Sequence, residues 1–413
     1  MFNLSPILVL ATGAGSHPSA LIWTGLLVVL SALIIAWAAE AAQFLIAQGV
    51  ALALLALIQT LPEYSVEAHL AWAAGKDAEK LIFVTANFTG ALRLLIGLGW
   101  PLIFLTAFFA SLRQGKILRE VRLEDQHSVE IVSFFPPMTY GLLIALKGSI
   151  ALYDAAVLAS LYAGVVYFLW LCPPEREDKI AEADFLPRLI LQSGRRLRVL
   201  LILLCFLAGG LILYFTVHPF VEACKAAGIA LGVAPYIMIQ WIAPILSEFP
   251  EKISAFNWAR KITKAPMAVM NMSSSILQEA TLLIALMPVV YALSRGDLTP
   301  IHLEPEQTSE ILLTISQGAL GAVLLLDLRL SVWEAVGLLC IWVAQLGAGI
   351  AWSASSPEKV VAIHQLLTVL SWSWAGLEVL RYALRRKTPP AFSSFRQVVL
   401  AAKKRSSEKI ARA

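Results

Sequence analysis

Two short stretches constrain this chain more than any other part of it: Gln59-Thr60-Leu61-Pro62-Glu63 and Ser247-Glu248-Phe249-Pro250-Glu251. Each sets a helix-breaking proline and a carboxylate inside, or at the edge of, a long apolar run. Proline in a spanning helix removes a backbone donor and clashes with the preceding turn, so the helix must unwind there. Backbone groups freed at membrane depth are tolerated only where they line a cavity or bind something. A carboxylate in hydrocarbon is costly and usually functional. Each stretch is followed by an asparagine among small residues, at Ala86-Asn87-Phe88-Thr89-Gly90 and at Met270-Asn271-Met272-Ser273-Ser274. Two such arrangements in matching positions of two halves predict a cation site between broken helices.

That reading needs a membrane, and composition supplies it. Hydrophobic residues make up 59% of the 413 and charged residues only 15%, against roughly 25% charged in a soluble protein. A spanning helix takes roughly 20 mostly apolar residues. Spans are expected near 20–37, 40–60, 81–111, 129–147, 149–171, 197–217, 226–247, 266–293, 307–326, 330–352 and 360–384, eleven in all, with a tight turn at Lys147-Gly148. No segment alternates with the period a membrane barrel requires, so an all-α polytopic membrane protein is expected. The N-terminus, Met1-Phe2-Asn3-Leu4, has no basic region of the kind that opens a cleaved signal peptide.

Lysine and arginine alternate between the loops in the way that sets membrane orientation. One side receives Arg113, Lys116, Arg119 and Arg122, then Arg176 to Arg198, then Lys252, Arg260, Lys261 and Lys264, then Arg329 and the tail from Arg381. The other side receives Lys76, Lys80, Lys147, Lys225, Arg295 and Lys359. The expectation is a multi-pass protein of the cell (inner) membrane with its N-terminus outside and its C-terminus cytoplasmic. The two acidic-proline stretches then lie in segments of opposite direction, which predicts two inverted-topology repeats of five helices with an eleventh helix appended. The corresponding segments are 1–171 for the first repeat, 172–196 for a cytosolic linker and 197–352 for the second repeat. The extra helix takes 353–388 and a basic cytosolic tail 389–413. The linker opens with Pro173-Pro174-Glu175-Arg176-Glu177-Asp178, a strong break.

Thr60-Leu61-Pro62-Glu63 also reads as a capping box in which Thr60 caps a new half-helix and Glu63 reaches back. Glu63 taken alone is equally well an interfacial helix cap, but its repetition as Pro250-Glu251 in a segment of opposite direction favours function. Asn87 and Asn271 are either interhelical packing residues or ligands. The neighbouring Thr89, Ser273 and Ser274 offer the oxygen atoms that Na⁺ and Ca²⁺ prefer. Glu248 either faces the same site as Glu251 or the headgroup layer. The four cysteines (Cys172, Cys205, Cys224, Cys340) form no metal-binding pair and read as buried small hydrophobes.

At these residues the chain resembles the calcium/cation antiporter superfamily, the sodium/calcium exchangers and their cation/proton relatives. That family carries a motif like Thr-Ser-Leu-Pro-Glu in each of two inverted five-helix repeats, followed by one like Gly-Asn-x-x-Gly-Ser-Asn. Here Gln59 and Thr60 stand where the first motif has Thr and Ser, Glu248 replaces a hydroxyl residue in the second copy, and Ser274 replaces the later glycine. The resemblance implies an ion site of Glu63, Glu251, Asn87 and Asn271, with Thr60, Ser247, Thr89 and Ser273 beside them and Glu248 as an additional carboxylate. It implies transport of Ca²⁺ or Na⁺ in exchange for H⁺ or Na⁺ by alternating access, with spans 20–37 and 197–217 as the gating helices. Asn at both later positions is closer to the proton-coupled branch.

Neighbouring carboxylates in hydrocarbon cannot both stay charged without a counter-ion, so an emptied site must take up protons or monovalent cations. That requirement links the two fluxes. No resident cofactor is expected. The partners are inorganic cations and the lipid bilayer, with no nucleic acid. An organic cation held by Glu63 and Glu251, with Trp72, Trp100, Trp241 and Trp258 as a cage, is the alternative cargo. A membrane-embedded enzyme is the more distant one, since the six histidines form no His-Glu-x-x-His pair. His69, six residues after Glu63, reads as a solvated side chain near the outer loop. The basic tail from Pro389 reads either as an amphipathic segment on the inner leaflet or as solvated chain.

Overall fold

A computed structural model describes residues 17–44, 60–171 and 185–412. The expected span 40–60 falls largely outside the described residues. The first helices in chain order are α1 (Ala20–Gln43), α2 (Leu61–Lys76), α3 (Leu81–Leu94) and α4 (Trp100–Leu112). Strand β1 (Glu120–Arg122), α5 (Ser128–Ser133), α6 (Phe135–Lys147), β2 (Ser149–Ile150), α7 (Leu152–Leu171) and α8 (Phe185–Gln192) follow. Next come α9 (Arg195–Ala230), α10 (Pro235–Ser247), α11 (Phe249–Arg260), α12 (Ala265–Gln278) and α13 (Ile284–Arg295). The chain closes with β3 (Ile301–His302), α14 (Pro305–Leu324), β4 (Arg329–Ser331), α15 (Val332–Trp352), α16 (Pro357–Leu384) and α17 (Pro390–Arg412). Among the described residues nine helical stretches are long and apolar enough to cross a membrane, and the shorter apolar α10 accompanies them. The chain is a multi-pass membrane protein.

Two compact units interleave along the chain, one made of Met1–Asn87 and Pro174–Glu251, the other of Phe88–Pro173 and Lys252–Ala413. In the first unit α1 lies along α9. Gly209 makes that approach possible: a Cβ there would sit 2.7 Å from Ile35 Cγ1 and 3.2 Å from the Ser31 carbonyl oxygen. Ser31 Oγ donates to the Gly209 carbonyl oxygen at 2.8 Å. A small residue with a hydroxyl opposite it is the usual adhesive between helices in lipid, where apolar burial alone drives little.

The seventh span departs from expectation. α9 carries Pro219 within it and continues to Ala230, beyond the expected end at 217, and the helix expected over 226–247 starts only at Pro235. Gly232, at φ 67°, turns the chain left-handed after α9, and Pro235 opens the next helix where its missing N–H costs nothing. α10 then stops at Ser247, with Glu248 capping it at φ −93° and ψ 7°, and α11 begins at Phe249. This is the discontinuity that Pro250 predicts. The first acidic-proline stretch behaves alike, with Pro62 in the opening turn of α2.

In the second unit the inverted repeat leaves marks that the hydropathy pattern did not contain. α3 and α12 each pass into a five-residue π-helical segment, Leu95–Gly99 and Glu279–Leu283. Both segments begin eight residues after the motif asparagine (87 to 95 and 271 to 279). Glu124 with His127 and Glu304 with Gln307 form capping boxes at equivalent helix starts. Besides the helices there are two short antiparallel ladders, β1 with β4 and β2 with β3. The inverted repeat equates β1 with β3 and β2 with β4, so the same pseudo-two-fold operation carries one ladder onto the other.

The ladders also bear on sidedness. β1 with β4 ties the loop holding Arg113 to Arg122 to the loop holding Arg329, and β2 with β3 ties the Lys147 turn to the loop after Arg295. The lysine and arginine alternation groups the loops in these same pairs. The C-terminal helix α17 joins the first of these ends. Ser394 Oγ donates to Asp125 Oδ1 at 2.7 Å, Phe392 stacks on Phe135 at 5.8 Å and Phe395 meets Phe168 edge-on at 5.4 Å. The tail is therefore helical, and its Phe392 and Phe395 meet α6 and α7.

The most buried charge of the second unit is Arg93, with a side chain 0% exposed. Its guanidinium pairs with Glu310 and donates to Gln345 Oε1 at 3.0 Å. Glu310 in turn meets His364 Nδ1 at 2.8 Å. One ion pair thus joins α3, α14 and α16, the last being the appended helix. Removing one member of a buried pair leaves the other charge uncompensated, which costs about 3–5 kcal/mol. Arg93→Leu is expected to lower thermal stability in detergent by an amount of that order, and Arg93→Leu with Glu310→Leu to recover most of it. Equal losses in the single and double variants would show that the pair carries no such coupling.

Candidate cation site

The carboxylates that the sequence singles out converge inside the first unit. Glu63 occupies the opening turn of α2 and is 1% exposed, and Glu248, at the break between α10 and α11, is 3% exposed. A carboxylate oxygen of Glu63 and one of Glu248 lie within 4.8 Å of each other. Two oxygens on opposite sides of one Ca²⁺ ion are about 4.6–5.2 Å apart, given ligand distances of about 2.3–2.6 Å. A separation within 4.8 Å falls inside that span, so one hard cation could reach both oxygens. Glu251 falls at the third residue of α11, and its side chain lies outside the described residues.

A second carboxylate follows one turn along α2. Glu67 stands four residues after Glu63, hence on the same face of the helix, and is fully buried. Asn87 Nδ2 donates to Glu67 Oε2 at 2.8 Å, and Glu67 Oε1 has no hydrogen-bond partner among the described residues. Asn87 is buried too. The asparagine of the first motif therefore serves the acidic helix directly, orienting one carboxylate oxygen and leaving the other for a further ligand. Glu67 was not among the residues expected at the site. The signal that would have found it is the Glu-x-x-x-Glu spacing after Pro62, which repeats the helical period.

The hydroxyl residues fare differently. Thr60 is buried at the start of α2 but makes no side-chain cap, and the expected capping box with Glu63 does not form. Its backbone, at φ −83° and ψ 0°, is outside the extended region that aims a capping oxygen at the third amide. Ser247 is buried beside Glu248, and its Oγ donates to the Ala243 carbonyl oxygen at 3.0 Å.

The remaining expected residues belong to the second unit. Thr89 is fully buried, and its carbonyl oxygen and Oγ1 accept from Arg93 Nε and Nη2 at 3.0 and 3.4 Å. Both of its oxygens thus face a fixed cation. Ser273 Oγ donates to the Val269 carbonyl oxygen at 2.8 Å, and the half-buried Asn271 accepts at its backbone carbonyl from Ser275 Oγ at 3.3 Å. Glu279, 1% exposed and the first residue of the second π-helical segment, is another buried carboxylate absent from the expected set.

Asn87→Ala removes the donor from a buried carboxylate, a loss of about 1–3 kcal/mol. The thermal midpoint of the purified protein is expected to fall accordingly. In the Glu67→Ala background the same substitution should cost much less, and an undiminished cost there would show that Asn87 acts through other contacts.

Comparison with known proteins places this geometry. The family model described as sodium/calcium exchanger protein matches residues 201–350. The crystal structure of the H⁺/Ca²⁺ exchanger CAX is similar at 28% sequence identity, covering 97% of this chain and 99% of that one, with a TM-score of 0.80. The structure of YfkE is similar in fold at 14% identity, with 89% and 96% of the two chains covered and a TM-score of 0.55. The sodium-calcium exchanger NCX_Mj matches at 15% identity, over 83% of this chain and 99% of that one, with a TM-score of 0.50. No curated protein matches the sequence.

Proposed function

We propose that the chain, similar to the sodium/calcium exchanger family over residues 201–350 and to an H⁺/Ca²⁺ exchanger at 28% identity, is a calcium/cation antiporter that exchanges Ca²⁺, or Na⁺, for H⁺ by alternating access at the Glu63–Glu248 pair. Cation antiport follows from that similarity. The cargo, the counter-ion and the ligand set are our reading. The observation that carries it is the approach within 4.8 Å of two buried carboxylates of the first unit, one in the opening turn of α2 and one at the break between α10 and α11. Proton coupling is favoured by the asparagines at both motif positions and by the likeness to an H⁺/Ca²⁺ exchanger at 28% identity.

In this reading Glu63 and Glu248 supply the charged ligands, and Glu67 Oε1, aimed by Asn87, adds a third oxygen. Glu251, Thr60 and Ser247 follow from the sequence motifs, and the repeat assigns Asn271 and Ser273 the matching role in the second half. Thr89 is left out, because a cation bound to its oxygens would meet the Arg93 guanidinium. With a divalent cation bound, the acidic pair is neutralised. When the ion leaves, two charges held away from water repel each other and take up protons instead. The carrier crosses between its two faces in either neutral form and resists crossing bare, which ties one flux to the other. The pair α1–α9, closely apposed at Gly209, corresponds to the gating helices of the family. Orientation follows the lysine and arginine distribution, with the N-terminus outside and the C-terminus in the cytoplasm.

The test uses inside-out vesicles loaded with a pH-sensitive dye. Ca²⁺ added outside the vesicles is expected to drive proton release in the wild type, and Glu63→Gln and Glu248→Gln to reduce it to the level of empty vesicles. Glu251→Gln is expected to act in the same direction. Full exchange by the Glu63 and Glu248 variants would remove the pair from the site. Ca²⁺ accumulation that needs a sodium gradient and moves no protons would assign Na⁺ as the counter-ion.

A further inference from the structure

The first unit holds a second group of potential ligands away from the acidic pair. His69 lies on α2 and His218 on α9, 149 residues apart in sequence, yet His69 Nε2 and His218 Nδ1 are 3.3 Å apart. The two rings are tilted by 57°, with centroids 5.2 Å apart. At 3.3 Å the contact is at the long end for a direct hydrogen bond, and a straight N–H···N contact of this length would hold the centroids about 5.6 Å apart. Two imidazoles bound to one tetrahedral ion at Zn–N distances of about 2.0–2.1 Å would instead have nitrogens about 3.3 Å and centroids about 5.2 Å apart. Both separations match.

We propose that His69 and His218 form a site for a borderline transition-metal ion, with Zn²⁺ as the representative, which clamps α2 to α9. The ligand chemistry suits that class: neutral imidazole favours Zn²⁺, Cu²⁺ and Ni²⁺, while the hard Ca²⁺ takes oxygen ligands. Glu222 follows His218 by one turn of α9 and supplies a third ligand from the same helix face. Its Oε1 accepts from Lys225 Nζ at 2.9 Å, and Lys225 also sits 4.6 Å from the Phe83 ring centre. Binding exchanges the Lys225 contact for the metal, and water completes the tetrahedron. The pair is not enclosed, since His218 is exposed and His69 half-buried, so an ion can reach it. α9 is one of the proposed gating helices and α2 opens with Glu63. An ion tying them together holds the gate to the acidic helix, and metal binding here arrests exchange. The arrest rests on the antiporter reading, whereas the binding does not.

The full-length protein in detergent tests the site. Zn²⁺ is titrated against a chromophoric chelator, and Co²⁺ is used for its tetrahedral visible absorption. One ion should bind per chain, and His69→Ala or His218→Ala should each weaken it by at least about tenfold, with a smaller loss for Glu222→Gln. Zn²⁺ should also protect the wild-type histidines from diethylpyrocarbonate, a readout that needs no substitution. In proteoliposomes Zn²⁺ should inhibit cation exchange in the wild type and not in His218→Ala, which keeps its basal exchange. Zn²⁺ affinity unchanged in both histidine variants, with no protection from the reagent, would overturn the proposal. So would binding that is lost in Glu63→Gln and retained in the histidine variants. Binding at the histidines without any exchange activity in the wild type would leave the metal site standing and sink the antiporter reading instead.

Discussion

A carboxylate placed in hydrocarbon must be met by something, and an unbroken helix has nothing to offer because its backbone groups are already paired. In this protein three buried acids of the spans stand at a helix start, a helix end or an irregular turn, while Glu67, within α2, is met by Asn87 instead. Glu63 is in the opening turn of α2, Glu248 is at the break between α10 and α11, and Glu279 begins a π-helical segment. Pro62 and Pro250 lie beside the first two, and neither can donate to a preceding turn. In the third, the wider turn of the π-helix leaves the ladder out of register for five residues. Charge and discontinuity come together at each place.

The second constraint is the inverted repeat. The two halves of the chain share little sequence beyond the acidic-proline and asparagine motifs, yet they agree in geometry at a finer level. π-helical segments start at the same distance from Asn87 and Asn271, carboxylate capping boxes open α5 and α14 regions at Glu124 and Glu304, and two ladders exchange under one operation. The halves differ at a buried charge. Arg93 stands six residues after Asn87, while Leu277 holds the equivalent place after Asn271. A buried guanidinium in one half, balanced by Glu310 and His364, ties the appended helix α16 into the second unit. The eleventh helix is thus an integral part of that unit.

Much of this was legible in the primary structure because it rests on local rules. Proline predicted the break between α10 and α11 and the helix start at α2, glycine at 148 predicted the turn between α6 and β2, where φ is 65°, and the apolar lengths predicted most spans. Hydropathy alone puts the seventh span over 226–247 and does not see that Gly232 and Pro235 end one helix and start another. Residue order makes Thr60 a cap, but capping depends on the backbone angles of the cap residue. The tail looked amphipathic, and its aromatic face did find an apolar surface. That surface is Phe135 and Phe168 of the same chain, which are distant in sequence.

What the amino-acid order determined by itself was the class of protein, its repeats and the acids that matter, because hydropathy, helix breaking and the cost of buried charge are properties of short segments. Tertiary structure decided which acid meets which. Glu248, an ambiguous side chain in the sequence, is brought to Glu63, Asn87 is turned to Glu67, and Thr89 is claimed by Arg93. The encounter of His69 with His218 belongs to the same kind. These pairings depend on how helices far apart in the chain rotate and slide to fill one another's surfaces, and no periodicity within a single segment encodes that.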